Sequence, residues 1–274
     1  MDDHHPGGFD AKNEPPTIFH PAPSPYGIPY RSLYSKTVEN LFFAGRNISV
    51  THTAMSSTRV MATCALLGQA VGNAAAIAVR EGLSPREVGR MRIRLLQENL
   101  MDDDCYLPGL RRRISGLTSD SRLETDMENA EACRNGIDRP VGGESNAAAG
   151  PAGSFLRYIL PAGREADGVR LVFDSDLDRK TLPEEEARLR RPMFHNLLLH
   201  REASYTPKTL VKDFDLIYKT EDGVKTLAVR GNHQRLVRIR LPEKASEVTL
   251  KILATHGEET ARVFAFDVIE GYCF

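Results

Sequence analysis

Residues 58–81 contain no proline and no cluster of turn-forming residues, and their apolar side chains recur at helical spacing through Val60, Met61, Leu66, Leu67, Ala70, Val71, Ala74, Ile77 and Ala78. The chain must therefore be built around one long helix. Ser56, Ser57 and Thr58 precede it with oxygens suited to an N-cap, and Gly82 followed by Pro85 ends it. One of its faces is small: Ala65, Gly68, Gly72 and Ala76 recur at spacings of three and four. Each interior glycine costs about 1 kcal/mol relative to alanine on an exposed helix. The expected compensation is close approach of another backbone, as in tight helix–sheet packing, or of a flat ligand. Arg59, Gln69, Asn73 and Arg80 argue against reading the helix as a membrane span, and no uninterrupted apolar run approaches the roughly 20 residues a span needs.

The flanks read differently. Residues 1–30 carry Pro15, Pro16, Pro21, Pro23, Pro25 and Pro29 and are expected to be extended and irregular. Leu41, Phe42, Phe43 and Ala44 form a short apolar run ending at Gly45, the pattern of a buried strand in a parallel sheet. A polar turn follows from Arg46 to Thr53. Beyond the long helix, Ser84, Pro85 and Glu87 compose a capping box with proline at the first helical position, so a second helix is expected over about residues 84–99. Asp102, Asp103 and Asp104 read as a solvated turn rather than a metal cluster.

After Arg113 short strand-like segments alternate with turns: residues 155–160, 168–173, 211–220, 225–230, 234–241, 247–254 and 261–269. Glu221-Asp222-Gly223 is expected to turn a hairpin, and residues 180–191 read as a charged insertion with a short helix. The pattern is that of an antiparallel sandwich. The division expected is 1–113 and 114–274, an α/β piece followed by an all-β domain. The four cysteines show no CxxC spacing, which suggests neither zinc nor a disulfide framework and points to a reducing compartment. A net charge of −1 gives no reason to expect nucleic acid or an anionic membrane as partner. No signal peptide is visible.

The residues around the long helix carry a resemblance. Ile28-Pro29-Tyr30-Arg31-Ser32-Leu33-Tyr34-Ser35, Glu39-Asn40-Leu41-Phe42-Phe43-Ala44-Gly45-Arg46-Asn47-Ile48-Ser49, Thr51-His52, Ser56-Ser57-Thr58-Arg59-Val60-Met61 and Gly68-Gln69-Ala70-Val71-Gly72 resemble the C-terminal FAD-binding segment of a bacterial FAD-dependent oxidoreductase family, related to the two-dinucleotide-binding flavoproteins. The resemblance covers about residues 1–110. It implies FAD as cofactor, a strand joining the FAD-domain sheet and a helix directed at the flavin. A helix N-terminus presents unpaired N–H groups and about half a positive charge, which suits the anionic edge of a reduced flavin. Ala44, Gly45, Arg46, Asn47, Ser56, Ser57, Thr58, Arg59 and Met61 are thereby expected at the cofactor. Arg46 stands where the broader class has an acid, and its expected role is to pair with a phosphate. His52 is the best acid–base candidate, against the plainer reading of a loop histidine bonded to backbone. His4, His5 and Arg31 are secondary candidates on the substrate side.

The Gly-x-Gly-x-x-Gly loop that holds the ADP half of the cofactor in that class occurs nowhere in the sequence. The chain is accordingly expected to be a fragment, a split subunit or a mis-started reading. Val169 to Leu177, Thr255-His256-Gly257 and Ala261 to Phe264 resemble, more weakly, a galactose-binding or discoidin-like sandwich over residues 118–274. That leaves a second reading, a non-enzymatic carbohydrate- or protein-binding module with a remnant flavoprotein segment. The absence of tryptophan weakens a strong sugar platform.

Overall fold

The computed structural model describes residues 2–4, 7–8, 10–15, 17–19, 25–177 and 206–271. The charged insertion at 180–191, His5 and Cys273 lie outside the described residues. The chain divides into two compact units, Met1–Arg112 and Arg113–Phe274.

The first unit is mainly helical. A two-stranded antiparallel pair, β1 (Asp2–His4) and β2 (Thr17–Phe19), comes first. Four helices follow: α1 (His52–Thr58), α2 (Met61–Glu81), α3 (Pro85–Met91) and α4 (Ile93–Asp102). The long helix is therefore shorter at its start than expected. Residues 52–58 form a separate helix capped by the Thr51 hydroxyl, which accepts from Ala54 N at 3.3 Å, and the break falls at Arg59 and Val60. Val60 is extended, with φ −69° and ψ 147°, and provides no side-chain cap for α2. β-branched valine favours that conformation.

The C-terminus of α2 and the next N-terminus match the sequence reading. Gly82 takes φ 65°, its N–H bonding to Ala78 O, and both bonds of the Ser84–Glu87 capping box are present. Arg92, at φ −131°, divides the expected second helix into α3 and α4. Asp102 ends α4, and Asp103 and Asp104 form the turn after it, with Asp104 at φ 64°. By length and composition alone α2 could cross a membrane, a test that core helices of soluble proteins also pass.

One expectation fails in this unit and another is not met within this chain. Residues 41–44 are not a strand: Phe42 makes one isolated bridge to Tyr34 and Leu41 is exposed. Among the described residues the run pairs with neither strand of the β1–β2 sheet, and it ties back to the preceding segment through Phe43 N to Leu33 O at 2.8 Å and Ser35 N to Leu41 O at 2.9 Å. Gly68 and Gly72 face open space, not backbone. The buried stripe of α2 is the opposite one, Leu67, Ala74, Ile77 and Ala78, packed on Val88, Leu96 and Leu100 among others.

Gly89 in α3 is the contrasting case. A Cβ there would meet the Tyr30 ring at 2.8 Å, and that ring is held by its hydroxyl donating to Pro85 O at 2.8 Å. In this chain Gly68→Ala and Gly72→Ala should each stabilise by about 1 kcal/mol through helix propensity. Gly89→Ala should lower stability, because a clash of order 1–3 kcal/mol outweighs that gain. Thermal melts of the three variants check the opposite signs.

The second unit is a two-sheet antiparallel sandwich, as expected. It opens with α5 (Gly116–Asp120), capped by Ser115, and strands β3 (Arg122–Thr125), β4 (Ala148–Pro151), β5 (Phe155–Ile159) and β6 (Ala166–Phe173). It continues through β7 (Val211–Thr220), β8 (Gly223–Val229), β9 (Leu236–Ala245), β10 (Glu247–Thr255) and β11 (Thr260–Ile269). The sheets have orders β3-β5-β10-β7-β8 and β4-β11-β6-β9. Alternate residues of each sheet fill the space between them: Leu156, Leu216 and Leu250, which align across neighbouring strands, face Val169, Leu171 and Phe266. Thr220 pairs with Gly223 at φ 119°, so the β7–β8 turn is tight. Burial pushes the Cys133 thiol in this core up to about 12, partly offset by its hydrogen bond with Tyr158.

Candidate functional site

The residues singled out from the sequence lie in the first unit, on the 44–47 turn, on α1 and at the start of α2. The turn is fixed from both sides. Ser49 N bonds to Ser32 O at 2.9 Å and Ile48 N to Gly45 O at 3.4 Å, while Ile48 is buried with Leu33 and Leu67. Gly45 is required by its backbone, at φ 108°, a region closed to most side chains. Its neighbours leave ordinary room: a Cβ there would lie 3.8 Å from Asn47 Oδ1 and 4.0 Å from Cys64 Sγ. The latter contact sets the turn beside the first turn of α2.

α1 uses its own hydroxyls internally. Ser56 Oγ donates to Thr53 O at 2.7 Å, and Ser56 and Thr58 are both buried. Ser57 Oγ accepts from the Tyr26 hydroxyl at 2.7 Å. The Ser56–Thr58 hydroxyls therefore do not cap the long helix, and Thr58 closes α1 instead of opening α2. The sequence pattern could not separate the two, because Thr51 and Ser56 are equally good caps and lie five residues apart.

The start of α2 is the open end. Its first intrahelical bond, Cys64 N to Val60 O at 2.9 Å, leaves the N–H groups of Met61, Ala62 and Thr63 ahead of the ladder, with no side chain from Val60 to receive them. Met61 is 90% exposed there. Arg46 is exposed and Arg59 half-buried, and neither side chain makes a hydrogen bond or ion pair among the described residues. Ala44 and Asn47 are also exposed. His52 is the exposed first residue of α1. His4 lies in β1, and Arg31 is exposed on the 3-10 turn Tyr30–Leu33. Sequence reasoning missed Tyr26, whose position in a proline-rich segment gave no hint that it would reach α1.

Residues 1–100 match the family model described as FAD dependent oxidoreductase. No curated protein matches the chain. Solved structures similar to it include the family 32 carbohydrate-binding module of Streptococcus pneumoniae EndoD, at 17% identity over 57% of this chain and 99% of that one, TM-score 0.39. The family 32 module of C. perfringens NanJ, solved with galactose, shares 9% identity over 56% and 96%, TM-score 0.36. A Streptococcus pneumoniae fucose binding module, SpX-3, shares 11% over 58% and 100%, TM-score 0.38.

Proposed function

We propose that residues 1–113 are the C-terminal portion of an FAD-dependent oxidoreductase domain and supply the flavin side of its cofactor site, with residues 114–274 as an appended galactose-binding-like sandwich. The observation that carries the reading is the uncapped, exposed N-terminus of α2, a 21-residue helix, within the segment that matches the family model.

The residues present fit such a cofactor. The N–H groups of Met61, Ala62 and Thr63 are donors without an intrahelical acceptor, and a helix start favours negative charge by roughly 0.3–1 kcal/mol or more. Arg46 and Arg59 bring two uncommitted positive charges to the same stretch of chain. Gly45 turns the backbone back against Cys64. When bound, the flavin accepts and releases hydride, which is the cofactor's own chemistry. The protein's part is to stabilise negative charge through the α2 donors and to hold phosphate through Arg46 or Arg59. Ser56 and Thr58 act here as supports of α1, and His52 is the group at hand to move a proton. The outward face of α2, with Gly68 and Gly72, is left for the remainder of a dinucleotide-binding domain.

The test is a titration of the chain with oxidised and, anaerobically, reduced FAD. Binding should be weak, since the sequence has no Gly-x-Gly-x-x-Gly loop, but tighter for the reduced anion by roughly tenfold, the worth of one hydrogen bond to a charged group. Ala62→Pro removes one donor at a position in the first helical turn that tolerates proline, and should erase most of that preference with helicity unchanged. Equal affinity for the two forms would remove α2 from the site. Tight stoichiometric FAD on this chain would overturn the half-site reading, and no FAD binding in either form would leave the sandwich as the working part.

A further inference from the structure

The segment 25–34, the helices α2, α3 and α4 and residues 105–108 enclose a cleft of about 660 Å³. Of the residues assigned above to the flavin, only Thr63, which contributes a backbone N–H there, also lines it. Its volume falls in the range of about 300–1,000 Å³ typical of small-molecule sites. The walls are hydrocarbon and aromatic, with Leu66 and Leu67 from α2 facing Leu96 and Leu100 from α4.

The charged side chains that line it have one sign. Arg31, Arg86 and Arg90 line the cleft, and no aspartate or glutamate is among the residues that do. Arg86 is committed: its guanidinium donates to Lys36 O at 3.2 Å and lies over the Tyr34 ring. The side chains of Arg31 and Arg90 make no hydrogen bond or ion pair among the described residues. Glu87, one turn before Arg90, has its carboxylate bonded to Ser84 N and Oγ, each at 2.8 Å, with the charge of Arg90 only a minor influence on it. An apolar slot with two unused guanidinium forks is complementary to a hydrocarbon that ends in a planar anion, since guanidinium matches carboxylate geometry in a bidentate way.

We propose that this cleft is a binding site for an amphiphilic carboxylate, its hydrocarbon between α2 and α4 and its carboxylate held by Arg31 and Arg90. The proposal stands apart from the flavin reading and holds or fails without it.

Cys105 lines the cleft and reports on its occupancy. Burial, then the nearby Asp104 and Asp103, raises its thiol, so alkylation is run at mildly alkaline pH. The full chain is treated with iodoacetamide at rising dodecanoate, kept below its micellar concentration, and modification is read cysteine by cysteine by mass spectrometry. Affinity is measured in parallel by calorimetry. Dodecanoate should protect Cys105 and leave Cys64, which does not line the cleft, reacting as before. Dodecanol should bind more weakly. Arg31→Gln with Arg90→Gln alters two exposed side chains and should cut dodecanoate affinity by roughly tenfold or more, as loss of charge-assisted hydrogen bonds implies, with dodecanol unaffected. The proposal is overturned if Cys105 stays unprotected. It is equally overturned if dodecanol binds as well as dodecanoate and the double variant changes nothing, which describes an apolar surface only. Protection of Cys105 that rises with protein concentration in the absence of any ligand would give the cleft to a second copy of the chain instead.

Discussion

Arg170→Ala is expected to destabilise the sandwich by about 3–5 kcal/mol, the usual cost of removing one partner from a buried ionic cluster. The Arg170 side chain is 1% exposed, donates to Asp138 Oδ2 at 2.9 Å and lies 3.6 Å from Asp267 Oδ2, with the carboxylates 10% and 3% exposed. Truncation leaves two acids in a poorly solvated site without this cation. The cost comes from the charge left behind and not from the lost attraction itself. Replacing all three groups by apolar ones, Arg170→Met with Asp138→Leu and Asp267→Leu, should therefore recover most of the loss. Urea unfolding of the variants decides. A loss under about 1 kcal/mol in Arg170→Ala would mean that water reaches the cluster, since exposed pairs are worth that little.

Residues 113–274 expressed alone should unfold in one cooperative step, and Phe214→Ala should lower their stability by about 3–5 kcal/mol. Phe214 on β7 is fully buried and packs against Phe173 of β6, ring centroids 5.3 Å apart and the rings tilted by 56°, so it joins the two sheets. The core cluster that contains it is drawn entirely from this unit. A broad, non-cooperative transition in the isolated segment would refute its autonomy. A change under 1 kcal/mol in the variant would refute the packing argument.

What the sequence disclosed depended on which force fixes each element. Strands β7 and β10 were legible because alternate residues of each are buried and the alternation is written in the sequence: Phe214, Leu216 and Tyr218 on β7, and Val248, Leu250 and Ile252 on β10. β3 and β4 were not, because four residues such as Ala148-Ala149-Gly150-Pro151 carry no alternation to read. The Ser84 box and the Gly82 terminus were legible because caps are local chemistry. The break at Arg59 and Val60 was not, because Thr51 competes with Ser56 for the same role. Phe42 and Phe43 read as a strand on apolar character alone, yet a strand also needs a neighbour, and that information is not in the run itself. The same holds for Gly68 and Gly72, whose spacing states a demand for close contact without naming what meets it. The cleft was illegible because its walls come from segments up to about eighty residues apart, each unremarkable alone.

The order of strands in the sandwich governs how the chain comes off the ribosome. β11, the last strand, is not at an edge but lies between β4 and β6. Its Val268 receives and returns hydrogen bonds with Thr118, 150 residues earlier, at 2.9 and 3.1 Å. The four-stranded sheet cannot close until residues 260–269 have been made, and until then β4 and β6 lack their shared neighbour. Synthesis at about 5–20 residues per second leaves the sheet open for seconds, the interval in which non-local β structures recruit chaperones or aggregate. A stop codon before residue 260 would deliver an open sheet to the cell rather than a slightly shorter protein.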